Sequence, residues 1–317
     1  MSQKRSYLAL ALVVIVMPSI ARSEGNPLRE AVLKAKRILF LGDSVTASGQ
    51  YVAIFEAWLL TQPHKERPLV INAGLPSETV SGLSEDGHAG GKFPRPKLAD
   101  RLDSVIRLTK PDVVFACYGI NCGIYQPYDK DRFLRYQEGL LQVHRKVKQA
   151  GASCIFMTPP CYDDLRGKKS FSYNQVLDQY SAWLVGQRAQ GWNVFDLHTV
   201  MTTALKDRRK QNPDFTFQPD AVHPDEAGHW FIASQLIKWL GDDASASRTN
   251  AREMLAARKI PEEVLTLVQK RSLMLRDAYV HAAGHQRPGV ARGLPLEEAL
   301  SKANAEAKQI DILMTKP

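Results

Sequence analysis

A serine hydroxyl is a weak nucleophile at neutral pH unless a base takes its proton, so a serine that follows an apolar run and a distant histidine beside a carboxylate make a pair worth testing. Ser44 ends the run Leu39-Phe40-Leu41-Gly42-Asp43, at the point where a strand turns into a helix. There the backbone N–H groups and the helix dipole face any developing oxyanion. Asp220-Ala221-Val222-His223-Pro224 supplies the histidine, with a carboxylate three residues earlier that can turn back and fix the ring tautomer. Asn121, in Tyr118-Gly119-Ile120-Asn121-Cys122-Gly123, follows a second apolar run and can aim an amide donor at the same centre. A donor of this kind lowers an acyl-transfer barrier by about 3 kcal/mol. Taken singly, each element has a plainer reading: a helix cap at Asp43 and Ser44, a surface turn at Asp220–His223 and a turn asparagine at Asn121.

The elements that would position these residues are read from periodicity. Apolar runs Arg37–Leu41, Leu69–Ile71, Asp112–Cys117, Ser153–Thr158 and Asn193–Phe195 predict strands. The amphipathic stretches Tyr51–Leu60, Leu98–Thr109, Arg132–Ala150, Tyr173–Gln190 and Ala227–Leu240 predict helices, with Pro111, Gly151 and Gly191 as their stops. Strands alternating with crossover helices make a three-layer α/β/α domain with a five-stranded parallel sheet, and ligands collect at the carboxyl ends of such strands. The expected division is a leader at 1–23, a catalytic domain at 30–241, a linker at 242–250 and a helical extension at 251–317. Within the extension, Pro261–Ala283 and Pro295–Ile312 read as helices that pack back on the main domain.

Serine first, asparagine in the middle and Asp-x-x-His last, each at its own strand end, resemble the SGNH (GDSL) hydrolases over about Arg37–Leu240. The resemblance implies a flavodoxin-like sandwich and an ester hydrolase in which Ser44 is the nucleophile, with Asp220 and His223 its partners. It also implies an oxyanion hole formed by the N–H groups of Ser44 and Ser77 and the Asn121 amide. No metal or organic cofactor is required. Two positions depart from the family pattern: Ser77, in Asn72-Ala73-Gly74-Leu75-Pro76-Ser77-Glu78-Thr79, stands where glycine is usual, and Cys122 where aspartate is usual. A serine N–H donates as well as a glycine N–H, but a positive φ would strain a non-glycine by about 1 kcal/mol.

Asp43 beside the serine, His88 in the Gly- and Pro-punctuated loop Glu85–Pro96, and Arg287 in the loop between the last two helices are further candidates for contacting substrate. Arg287 suits an anionic one, with an exposed salt bridge as the plainer reading. His229 reads as a packing or surface histidine. The substrate is read as a small-molecule or polysaccharide ester, above all O-acetyl groups on a carbohydrate. A lipid or short-chain acylhydrolase is the alternative enzyme, and a non-catalytic carbohydrate-binding protein with a decayed site is the alternative of another class.

Composition bounds the rest. The 317 residues are 44% hydrophobic and 24% charged, enough for a sizeable core. The net charge of +9 includes Lys4, Arg5 and Arg22, and what remains, spread over the chain, does not mark a nucleic-acid surface. Lys4 and Arg5, an apolar run from Tyr7 to Met17 and small residues around Ala21 and Ser23 have the layout of a secretory signal peptide. The run is shorter than the roughly 20 residues a bilayer needs, so the expectation is a secreted or periplasmic protein without a stable membrane anchor after cleavage. Cys117, Cys122, Cys154 and Cys161 allow either buried thiols or a disulfide in an exported chain. Oligomeric state is not read from the sequence.

Overall fold

Strands that are apolar along their whole length need cover on both faces. The five apolar runs fold that way in the computed structural model, which describes residues 26–64 and 66–315. The strands are β1 (Arg37–Gly42), β2 (Leu69–Asn72), β3 (Val113–Cys117), β4 (Ser153–Met157) and β5 (Asn193–Phe195). All pair in parallel, in the order β2-β1-β3-β4-β5, with Phe40 opposite Phe115 and Phe115 opposite Ile155. This is the flavodoxin-like order, whose direction of winding reverses between β1 and β3 and opens a crevice beyond their carboxyl ends.

The helices are α1 (Pro27–Lys34), α2 (Ser44–Ala47), α3 (Gln50–Leu60), α4 (Leu102–Thr109), α5 (Lys130–Gln149), α6 (Asp164–Gly167), α7 (Asn174–Gly186), α8 (Leu197–Gln211), α9 (Glu226–Trp239), α10 (Asp243–Ala246), α11 (Ala251–Ala256), α12 (Glu262–Ala282) and α13 (Leu296–Met314). Alternate strand residues face opposite layers. Ile38, Phe40, Phe115 and Met157 pack with α1, α3, α8 and α9, whereas Leu39, Leu41, Val114 and Phe156 pack with α4, α5 and α7. Sequence spacing sets these faces. In α5 the buried residues are Tyr136, Leu140, Val143 and Val147, a stripe at helical intervals, and the Asp129 side chain caps its start by accepting from Arg132 N–H at 2.8 Å.

Two predicted helices and the expected linker differ from the expectation. The stretch Leu98–Thr109 breaks after a 3₁₀ turn at Leu98–Asp100, where the side chain of Arg101 turns inward to Glu78, and α4 begins at Leu102. The stretch Tyr173–Gln190 tightens into a 3₁₀ turn at Gln187–Gln190. The segment 242–250, expected as a linker, contains α10, and Asp242 is buried, accepting from Trp58 Nε1–H at 2.9 Å and capping Ser245 N–H at 3.0 Å. Helix α12 packs on α3 and β2, with a buried Arg271–Glu56 ion pair joining it to α3. The extension is therefore part of the same body. All four cysteines are free thiols, three of them buried. The leader expected at residues 1–23 lies outside the described residues, and no described helix is long and apolar enough to cross a membrane.

Candidate active site

β1 ends at Gly42, and Asp43 caps α2 by accepting from Val45 N–H at 3.0 Å, which leaves Ser44 as the first helical residue at the mouth of the crevice. A side chain at Gly42 would strike Thr46, and one at Gly74 would strike the backbone of Thr46 and Ala47, so the loop after β2 lies directly against α2. Asn72 fastens the two, donating to Thr46 C=O at 2.7 Å and accepting from Gly74 N–H at 2.8 Å.

His223 reaches Ser44 from the loop before α9. Its Nε2 lies 2.8 Å from Ser44 Oγ and its Nδ1 2.6 Å from Asp220 Oδ2. Burial raises the Asp220 carboxyl, but hydrogen bonds from the His223 backbone and ring and from Val222 N–H outweigh it and hold the carboxyl below its usual range. An ionised carboxylate only accepts, so Nδ1 carries the ring proton and the Nε2 lone pair faces the serine hydroxyl. Both side chains are open to solvent, 50% exposed for His223 and 58% for Asp220. The pair therefore serves orientation far more than stability.

The turn between them depends on Ala221, which is buried at φ +75° and whose carbonyl accepts from Asp163 N–H at 3.0 Å. The fully buried Asp163 carboxylate is gripped in turn by Arg209 Nη2 at 2.7 Å and 2.9 Å, and this buttresses the histidine loop from below.

Ser77 has φ +67°, so the loop does require the left-handed backbone that glycine usually supplies, and the serine bears the strain. Its N–H donates to no acceptor among the described residues, whereas the Gly74 N–H is already committed to Asn72. Next to it, Glu78 is fully buried. Its carboxylate takes two bonds from Arg101, each 2.6 Å, and one from Tyr118 O–H, also 2.6 Å. Burial raises the Glu78 carboxyl above its usual range, with Arg101 opposing. Asn121 sits at the end of β3 with Nδ2 3.4 Å from Glu78 C=O, and Tyr125 O–H donates to its Oδ1 at 2.9 Å. Tyr125 thus fixes which end of the amide faces the Ser77–Glu78 loop, a role with no signature in sequence spacing. Ile124 and Tyr125 also have positive φ. Non-glycine residues in strained backbone therefore mark all three loops around Ser44, a pattern common at functional sites.

Cys122, at the family's aspartate position, is buried against the backbone of Val80 and Ser81, and burial pushes its thiol up to about 12. Asp43 is buried as the α2 cap, and burial pushes its carboxyl up to about 7; it does not line the cavity beside Ser44. His88 stays in its own loop, 3.4 Å from Glu85 and edge-on to Phe93, and does not line that cavity. His229 is buried, stacks on Tyr51 and meets Ser48 Oγ at 3.1 Å. Ser48 gives its own proton to Val45 C=O at 2.7 Å, so it accepts from His229, and this second serine–histidine contact has no base facing a free hydroxyl.

Arg287 does line the cavity of about 290 Å³ beside Ser44, together with Gly74, Pro76, Arg276, Val280 and Val290. The sequence singles out Arg287 in this loop, but gives no sign that Arg276 and Val280 of α12 wall the same space.

Residues 40–231 match the model of the GDSL-like Lipase/Acylhydrolase family. The chain belongs to that family. It is a carboxylic ester hydrolase of the SGNH type. An acetylxylan esterase of Geobacillus stearothermophilus is 25% identical over 236 residues, which cover 67% of this chain and 97% of that one. Among solved structures, a mutant of Axe2, an acetylxylan esterase from the same organism, superposes with a TM-score of 0.51 at 22% identity, covering 65% of this chain and 94% of that one. A gut microbial diltiazem-metabolizing enzyme gives 0.51 at 19% identity, and this chain, 66% of it covered, spans only 47% of that protein. The SGNH hydrolase match ends at residue 231, ahead of α10–α13.

Proposed function

We propose that this SGNH hydrolase is an exported serine esterase that removes O-acetyl groups from a carbohydrate. The observation that carries the reading is the line of contacts from Ser44 Oγ through the His223 ring to Asp220, 2.8 Å and 2.6 Å. Ser44 attacks the ester carbonyl as His223 Nε2 takes its proton, and Asp220 holds the resulting imidazolium. The oxyanion is received by the N–H groups of Ser44 and Ser77 and by the Asn121 amide, all fixed before substrate arrives. His223 then returns the proton to the departing sugar oxygen. Water, activated by the same ring, attacks the acyl-enzyme and releases acetate. The cavity beside Ser44, about 290 Å³, lies at the small end of ligand sites. It suits a sugar ring better than a long acyl chain, and the acetylxylan esterase relative supports the same choice.

The test is turnover of p-nitrophenyl esters from acetate to palmitate, alongside Ser44→Ala. The expectation is highest kcat/KM on acetate, falling steeply with chain length, and a loss of at least about 10³-fold in Ser44→Ala. Preference for palmitate would favour lipid acylhydrolysis. Binding of acetylated xylan without turnover would make the protein a carbohydrate-binding module.

A further inference from the structure

The wall of the cavity that faces Ser44 is built by the extension, and its charges are unevenly paired. Arg276 Nε donates to Asp277 Oδ1 at 2.8 Å, and another of its nitrogens to Ala47 C=O, so this arginine both neutralises its neighbour and pins α12 to α2. Arg95, behind the Ser77 loop, is held in a two-bond fork by Glu85, 2.6 Å each. Glu85 is also the partner of His88, whose protonation is opposed by burial and then by Arg95. Arg287 is different. Among the described residues its guanidinium meets no carboxylate: it touches Pro288 C=O at 2.9 Å and Ser77 Oγ at a long 3.5 Å, and lies 5.3 Å from the centre of the Phe93 ring. Its Nε is shielded from solvent and has no acceptor among the described residues.

A guanidinium that is partly desolvated, set over an aromatic ring and left without an anion has donors to offer in a fixed fork. It stands over Ser77, at the same cavity as Ser44. A bound neutral sugar would leave this charge uncompensated, whereas a carboxylate would accept from it in the planar two-bond geometry that arginine favours.

We propose that Arg287, carried by the C-terminal extension, is an anion subsite of the catalytic cavity, and that the preferred substrate is an acetyl ester of a sugar bearing a carboxylate, a uronic acid. The inference rests on the carbohydrate-esterase reading above and narrows its substrate class. The size of the cavity agrees with one charged sugar ring rather than a long segment of polymer. The loop from residue 283 to 295 is then part of the specificity machinery, supplied by a segment that lies beyond the family match.

The experiment compares acetate release from one acetylated methyl uronoside in two forms, the free acid and its neutral primary amide, which are of nearly the same size and shape and differ in charge. A charge-assisted hydrogen bond contributes about 1.5–3 kcal/mol, so the free acid should be preferred by about ten- to a hundredfold in kcat/KM. The preference should appear mainly in KM and shrink in 0.5 M NaCl, a test concentration of the order at which exposed charges are screened within a few ångströms. In Arg287→Gln the ratio between the two substrates should fall to about one, and in Arg287→Lys a reduced preference should persist. Equal rates on the two forms by the wild type, with p-nitrophenyl acetate still cleaved, would overturn the anion subsite and leave the esterase reading standing. A preference that survives unchanged in Arg287→Gln would overturn the assignment to Arg287. Failure to cleave either sugar or p-nitrophenyl acetate would overturn both.

Discussion

Ser77 is where one residue's backbone angle and the chemistry of the site meet. The N–H proposed to face the oxyanion is displayed only because φ is +67°, a conformation that costs a non-glycine residue about 1 kcal/mol or more. Proline, which would remove that N–H, is a poor probe here, because it also forces φ to about −65° and turns the loop over. Glycine and valine separate the effects. Ser77→Gly keeps the N–H and the angle, so kcat on p-nitrophenyl acetate should stay within about threefold of the parent. Relief of strain is roughly matched by the extra freedom of the unfolded chain, so the melting temperature should move by only a few degrees. A β-branched residue rarely accepts positive φ, so Ser77→Val should pull the N–H away and lower kcat by about 10²-fold or more. Parental turnover in a folded Ser77→Val would remove Ser77 from the oxyanion site. The sequence shows that a serine stands at this position, but not the angle it must adopt. The same holds for Ala221, because a left-handed alanine has no compositional mark.

At the scale of elements, the loop after β2 is held from beneath by Glu78, Arg101 and Tyr118. This buried charge pair explains why the helix predicted from Leu98 breaks before Leu102: Arg101 leaves the helical line to reach Glu78 and Ala73 C=O. Apolar periodicity made α4 legible, since Leu102 and Val105 are buried on one face. It could not show that a charged residue at the boundary belongs inside the protein. Removing one member of a buried ion pair strands the other, at about 3–5 kcal/mol. Arg101→Met should therefore lower the melting temperature and, by loosening the Ser77–Asn121 edge, lower kcat more than it raises KM. Arg101→Met with Glu78→Gln should recover part of the stability, because no lone charge remains. Thermal melts and steady-state kinetics on both variants check this, and a single variant as stable as the parent would contradict the buttress.

For the molecule as a whole, what was legible were the features written in local pattern. Five apolar runs gave the five strands to within a residue or so at each end, and their alternation with helices gave the parallel sheet. Ser44, Asn121 and His223 stand out in the sequence because each lies at a strand end or in a short motif that the proposed chemistry requires. The convergence of Ser44 with His223, 179 positions apart, follows from the crevice at the β1–β3 reversal, which the order of strands creates. Less was visible where tertiary contacts decide. Helix α8 has only Leu197, His198, Met201 and Leu205 buried in a charged stretch, and it was not anticipated. The stretch 242–250 reads as a linker because it is short of apolar side chains and rich in Ala, Ser and Asp, yet Asp242 is fixed by the Trp58 indole. That the extension would close one wall of the cavity depends on where α12 docks, and no local pattern encodes that.

The central claim is that Ser44, activated by His223, is the nucleophile, and covalent labelling tests it most directly. A fluorophosphonate probe should modify the parent protein at one site, mapped by peptide mass spectrometry to Ser44. Ser44→Ala should take no label while melting within a few degrees of the parent, since Asp43 still caps α2 and the one hydrogen bond lost, to His223, is worth about 1 kcal/mol. His223→Ala, with its serine unactivated, should label at least about 10³-fold more slowly. Labelling of Ser44→Ala as fast as the parent, or of the parent at another residue, would contradict the account.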